Sequence, residues 1–175
     1  MRKILFLGLF IIIAFTSFAQ IQNKFFDCEL GKATYSEALT NISNLGYSIT
    51  SNERNGDMTN ITILQSTYNG HNWEAISLIF YKNRFYKILF SNMSYDKEAI
   101  DETFSIFKIL FTTKYKDNWY EESEDKDKLS FFDLDNEVVL YLKNPFVNNN
   151  INILVIEYNS DRINSEIISD QINSY

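Results

Sequence analysis

Tyr35, Ala38, Leu39, Ile42 and Leu45 recur three and four positions apart, which gathers them on one stripe of a helix over residues 34–45. Thr34 with Glu37 three residues on is a capping box, each side chain satisfying a free backbone N–H of the first turn. Gly46 is placed to end the helix in the left-handed conformation. From Tyr47 the pattern changes to β-branched and aromatic runs, predicting strands over 47–53, 58–68, 73–81 and 84–91. Asn55-Gly56 and Asn69-Gly70 tolerate positive φ and predict tight turns, and Lys82-Asn83 joins the last two strands. Residues 96–115 predict a second helix with Ser94 or Asp96 at its start. Ile100, Phe104, Phe107 and Phe111 mark its face, and Ile106 and Leu110 broaden the stripe enough to expect a helix laid deep on a sheet. Strands follow at 129–133, 137–143 and 151–158, with turns at Asp135-Asn136 and 145–150. The acidic run 121–128 reads as a solvated loop, and Ile163, Ile167 and Ile168 are spaced helically in the tail.

A helix followed by about four strands thus occurs twice, in halves 20–93 and 94–175, offset by about 65–70 residues. No proline- or glycine-rich linker divides them. The expected fold is one α+β domain over 20–175, in which duplicated helix-plus-antiparallel-sheet units form a single, mostly antiparallel sheet with helices on one face.

With Lys82-Asn83 as a two-residue turn, Phe80 faces Phe85, Leu78 faces Lys87 and Ile76 faces Leu89 on one side of the hairpin. The other side pairs Tyr81 with Arg84, Ile79 with Tyr86, Ser77 with Ile88 and Ala75 with Phe90. The two sets cannot mix without a bulge or a register slip. Both sides are apolar, yet one layer of helices covers one face. Either the C-terminal segment or neighbouring loops pack on the second face, or it is open. An open face carrying Trp73, Tyr81, Arg84, Tyr86 and, from a later strand, Tyr141 has the composition of a protein-binding surface: large rigid contact area with polar tips.

Residues 1–19 have the form of a secretory signal peptide: Arg2 and Lys3, an apolar run from Ile4 to Phe15, then Ser17-Phe18-Ala19 at the cleavage positions. A periplasmic or secreted protein is expected, with no membrane insertion after the signal is removed. Bulky Phe25-Phe26-Asp27 before the single cysteine, Cys28, does not resemble a lipoprotein motif, and a lone cysteine excludes an intrachain disulfide, so Cys28 reads as a small buried hydrophobe. Loss of the signal takes the formal net charge from −7 to −9, which disfavours nucleic-acid binding. The sequons at Asn41, Asn60 and Asn92 are expected by chance in so Asn-rich a chain.

His71, the one histidine, cannot belong to a multi-histidine metal site. The acidic run lacks the glycine and closing glutamate of an EF-hand. There is no P-loop, dinucleotide fingerprint, G-x-S-x-G elbow or Cys/His metal spacing. No catalytic residue, metal or cofactor is therefore assigned.

Two helix-plus-four-strand halves in an exported chain resemble the β-lactamase-inhibitor-protein-like architecture. That resemblance covers the mature chain in element order and implies one curved sheet with an aromatic-rich concave face that binds a partner protein. The disulfides of those inhibitors have no counterpart, because Cys28 is alone. The expected function is a non-enzymatic domain that binds a protein or peptide through the sheet. Alternatives are an inhibitor or immunity protein steered by its charge, and an envelope hydrolase using two carboxylates.

Overall fold

The computed structural model describes residues 20–124, 126–143, 146–147 and 151–173. The expected signal peptide, 1–19, lies outside them, as do Pro145 and residues 148–150 of the turn read there. A short ribbon of β1 (Lys24–Phe25) and β2 (Cys28–Glu29) leads to α1 (Tyr35–Asn44). Next come β3 (Ser51–Asn55), β4 (Met58–Tyr68), β5 (His71–Tyr81), β6 (Arg84–Ser94) and α2 (Lys97–Lys114). The second half holds β7 (Trp119–Glu122), β8 (Lys128–Asp133), β9 (Val138–Lys143), β10 (Phe146–Val147), β11 (Ile151–Ser160) and α3 (Asp161–Ile172). The fold is α+β, and one helix followed by a four-strand meander does occur twice. Strand order in the main sheet is β3-β4-β5-β6-β11-β9-β8-β7, with β10 added to β11. The last long strands of the two meanders, β6 and β11, pair antiparallel at the centre.

Local chemistry explains the element ends. Glu37 N–H donates to Thr34 Oγ1 and Thr34 N–H to Glu37 Oε2 (3.3 and 2.7 Å), completing the capping box of α1. Asp96 caps α2 by accepting from the backbone of Glu98 and Ala99. Asn69 and Gly70 (φ 50° and 77°), like Lys82 and Asn83 (φ 46° and 67°), are left-handed pairs, the geometry that matches a hairpin to the twist of its strands. Strand β7 begins at Trp119 and Tyr120 and runs into Glu121 and Glu122, the first two residues of the run the sequence predicted as loop. The Trp119 and Tyr120 rings meet Phe132 and Phe131 (centroids 4.8 and 5.6 Å), and an edge strand leaves Glu121 and Glu122 in water.

The N-terminal segment, α1 and α2 bury one face of the sheet in a single core that includes Phe26, Ile42, Ile61, Leu78, Phe85 and Phe131. Cys28 is buried there, and burial pushes its thiol up. On α2, Ile100, Phe104 and Phe111 are buried, but Ile106 and Leu110 are exposed with Ile109. The helix is therefore seated on its narrow phenylalanine stripe, less deeply than its full apolar width suggested.

The hairpin register departs from expectation at one place. Phe80 pairs with Phe85, but Ile79 pairs with Lys87, leaving Tyr86 as an extra residue. Beyond this bulge Leu78 meets Ile88 and Ile76 meets Phe90, where Lys87 and Leu89 were expected. The inserted residue resets the alternation. Ile88 and Phe90 turn into the core, while Lys87 and Leu89 turn out, so the expected second face exchanges an isoleucine and a phenylalanine for a lysine and a leucine. A second break lies between β4 and β5, where Gln65 (φ 46°) and Glu74 fall outside the paired register. Trp73 consequently lies in the core, its ring 5.2 Å from Phe90 and 5.8 Å from Phe107 of α2.

The tail forms α3, which crosses the second face. Ile163 is fully buried between Tyr81 and Tyr86, with Met58, Ile79 and Ile167 around them. Polar contacts tie the helix down: Tyr81 Oη and Lys82 Nζ donate to Asp170 Oδ2 (2.5 and 2.8 Å), and Tyr86 Oη donates to Asn164 Oδ1 (3.1 Å). Arg84 forks onto both carboxylate oxygens of Glu166. Gly31 lets the N-terminal segment approach: its φ is 78°, and a Cβ there would stand 3.0 Å from Ser160 Oγ.

Candidate binding face

Pairing across six strands sets the second face out in rows. Nearest α3 run Asn60, Ile79, Lys87, Asn159, Val139 and Phe132. The middle row is Thr62, Ser77, Leu89, Glu157, Tyr141 and Ser130, and the far row is Leu64, Ala75, Ser91, Val155, Lys143 and Lys128. Small side chains at 62, 75, 77 and 91 lower the surface over β4 to β6, bordered by Leu64 (47 % exposed), Leu89 and Met93 (45 % exposed). Here apolar and small groups meet water; α3 lies at the opposite end, on Tyr81 and Tyr86.

At the centre stands Glu157, its side chain only 8 % exposed. Lys87 Nζ and Asn159 Nδ2 donate to Oε1 (both 2.9 Å), and Lys143 Nζ donates to Oε2 (2.5 Å). Burial pushes this carboxyl up, but the two ammonium groups outweigh it and hold it below its ordinary value. Burial likewise pulls Lys87 down, and Glu157 reverses the effect. Lys128 and Lys143 flank the Tyr141 ring at 4.6 and 4.7 Å, and Lys87 lies 5.1 Å from the Tyr86 ring. Burial first, and then Glu157, push the Tyr141 hydroxyl up. Two lysines thus hold Glu157 and a third lies over the neighbouring Tyr141 in a chain of net charge −7, with Glu121 and Asp161 at the margins.

The structure separates the five residues expected on an open face. Tyr141 stands on the uncovered part. Tyr81 and Tyr86 face the same side but are buried beneath α3, and Arg84 is engaged by Glu166. Trp73 points to the opposite side, into the core. Placement of Tyr81, Arg84 and Tyr86 is corrected by the tail helix, and that of Trp73 by the break at Gln65. The residues missed were Lys87, Lys143, Glu157, Leu64 and Met93. Strict alternation along β9, β11 and β4 would have placed Lys143, Glu157 and Leu64; Lys87 and Met93 needed the bulge.

On the covered side a pocket of about 170 Å³ opens between α2 and the ends of β4 and β5. Tyr68, Trp73, Phe90, Phe107 and Phe111 line its walls, and Gln22, Asn69, His71 and Lys114 bring polar groups to it. His71 Nε2 accepts from the Asn92 amide (3.1 Å), whose oxygen accepts from Glu74 N–H (3.0 Å). Burial pulls His71 down, towards the neutral form. Among the described residues lining the pocket no carboxylate stands beside its ring, so it lacks the partner of a Ser-His-Asp base.

Among the described residues no group of three or more His, Cys, Asp or Glu could hold a metal ion, and no helix is long and apolar enough to cross a membrane. The carboxyls of Glu37, Glu157, Glu166 and Asp170 all lie below their ordinary values, opposite to the shift a general acid needs. No protein family, curated protein or solved structure matches the chain.

Proposed function

We propose that the protein is an exported, non-enzymatic binding domain that takes a protein or peptide partner on the two rows of the second face farthest from α3. The observation that carries this reading is a surface of Leu64, Ala75, Leu89, Met93 and Val155, shallow over its small residues, that continues into the lysines around Glu157 and Tyr141. Apolar area supplies affinity once it is desolvated. The lysines orient a partner that carries carboxylates beside its apolar side chains. Carboxyls held below their ordinary values, and a histidine bonded to Asn92 with no carboxylate among the described residues of its pocket, give no support to the hydrolase alternative. An inhibitor or immunity role is a narrower form of the same reading, resting on net charge.

Affinity capture with the mature domain, compared between wild type and the double variant Leu64→Glu, Met93→Glu, tests it. Both positions are about half exposed, so the fold should persist. The expected result is a protein retained by wild type, released by salt and lost with the variant, whereas Lys82→Ala at the α3 end retains it. Equal retention by wild type and the double variant overturns the proposal. An interaction indifferent to salt removes the role given to the lysines.

A further inference from the structure

We infer that the pocket beneath α2 is a binding site for a small aromatic carboxylate, independent of the open sheet face. Size sets the first constraint. An apolar cavity of ~150 Å³ accommodates one benzene ring, and this pocket is about 170 Å³. It therefore admits a single ring and little more, below the ~300 Å³ at which most ligand sites begin.

Wall chemistry sets the second. Trp73 lies nearly parallel to Phe107 (27°, centroids 5.8 Å), while Tyr68 and Phe90 are 5.3 Å apart at 32°. His71 meets Phe107 edge-on at 5.2 Å and Trp73 at 4.4 Å. A guest ring thus meets faces and edges from several directions, the arrangement in which aromatic quadrupoles attract, and a saturated ring of equal volume lacks that term.

Charge sets the third. Among the described residues lining the pocket Lys114 is the charged one, and none is a carboxylate. Two other hollows with a lysine in their lining do not share this: Glu29 and Lys32 line both of them together. Lys114 ends α2, with its Nζ 5.0 Å from the Tyr115 ring and no carboxylate within 4.0 Å among the described residues. A ring seated among the aromatics would direct a carboxylate on a one- or two-carbon arm to this ammonium, with Gln22 and Asn69 as further polar neighbours. His71, neutral and held by Asn92, adds no repulsion and no second cation.

The test uses the mature chain and 3-phenylpropanoate, followed by nuclear magnetic resonance. Expected is saturable binding with a Kd of about 0.1–1 mM, shifting the Trp73 indole N–H and the amides of His71 and Lys114. 3-Cyclohexylpropanoate should bind several-fold more weakly, because it loses the ring–ring attraction. Lys114→Gln, an exposed helix-end change, should weaken 3-phenylpropanoate by about fivefold or more and leave 3-phenylpropanamide unaffected. No binding at 10 mM ligand (roughly ten times the weakest Kd expected), shifts confined to Trp119 and the open face, or a Lys114→Gln variant that binds acid and amide as wild type does, each overturns the inference. Loss of partner capture by Leu64→Glu, Met93→Glu without loss of this binding separates the two sites.

Discussion

Replacing Glu157 with glutamine keeps the shape of the side chain and removes its charge from the centre of the second face. Wild type makes two charge-assisted bonds there, from Lys87 (2.9 Å) and Lys143 (2.5 Å). Each such bond contributes roughly 1.5–3 kcal/mol. The lysine side chains are 21 % and 29 % exposed, so in the variant they swing towards water and recover part of their hydration. A net loss of about 2–3 kcal/mol remains, less than the roughly 3–5 kcal/mol of breaking a fully buried pair. Urea denaturation should show this as a midpoint lowered by about 1 M, for a slope of about 2 kcal/mol/M. The pH dependence gives the sharper check. The folded carboxyl lies below its ordinary 4.5, so its stabilisation is complete above that value and is lost as pH falls through the folded pKa. The gap between wild type and Glu157→Gln should be constant around neutrality and close in acid. A gap below about 0.5 kcal/mol at neutral pH, or one unchanged through the acid range, would show that Glu157 is not held by its lysines.

Ile163→Ala empties the contact between Tyr81 and Tyr86, at a cost of about 2–4 kcal/mol. Because α3 is held on the sheet by this cluster and a few polar contacts, hydrogen exchange should accelerate at least about thirtyfold in its amides and leave β6 and β11 unchanged; equal acceleration in both refutes independent docking. Deleting Tyr86 leaves Phe85 opposite Phe80 and Lys87 opposite Ile79 in plain alternation, so this variant, like Tyr86→Ala, should keep the pairing of β5 with β6 and melt cooperatively at a lower temperature, having lost the Tyr86 contacts with Ile163 and Asn164. A deletion variant without a cooperative melt would dispose of the bulge argument. Thr34→Ala removes one half of the capping box and should lower stability by about 1 kcal/mol, or the melting temperature by roughly 3 °C; no change by calorimetry would leave the cap without energetic weight.

Helix α1, its cap and its terminal Gly46 were readable because each depends on residues within four positions of one another. The same holds for the hairpin turns at 69–70 and 82–83. Edge strand β7 was not readable. Its acidic half looks like loop, and its aromatic half is ordered by pairing and ring contacts with β8, which are distant in sequence. The site was legible in part: Tyr141 follows from plain alternation along β9. Trp73, Tyr81, Arg84 and Tyr86 were assigned to one open face by an alternation that two irregularities and a docked helix interrupt.

The amino-acid sequence by itself determined the α+β class, the twice-repeated order of helix and strands, and the burial of Cys28, since periodicity, capping and turn chemistry act over short stretches of chain. Only the tertiary structure decided which face of the sheet meets water. One extra residue reverses every side chain beyond it, and the energy favouring the bulge at Tyr86 comes from partners far away in sequence: the core that accepts Ile88 and Phe90, the Glu157 that receives Lys87, and the tail helix that covers Tyr86 itself.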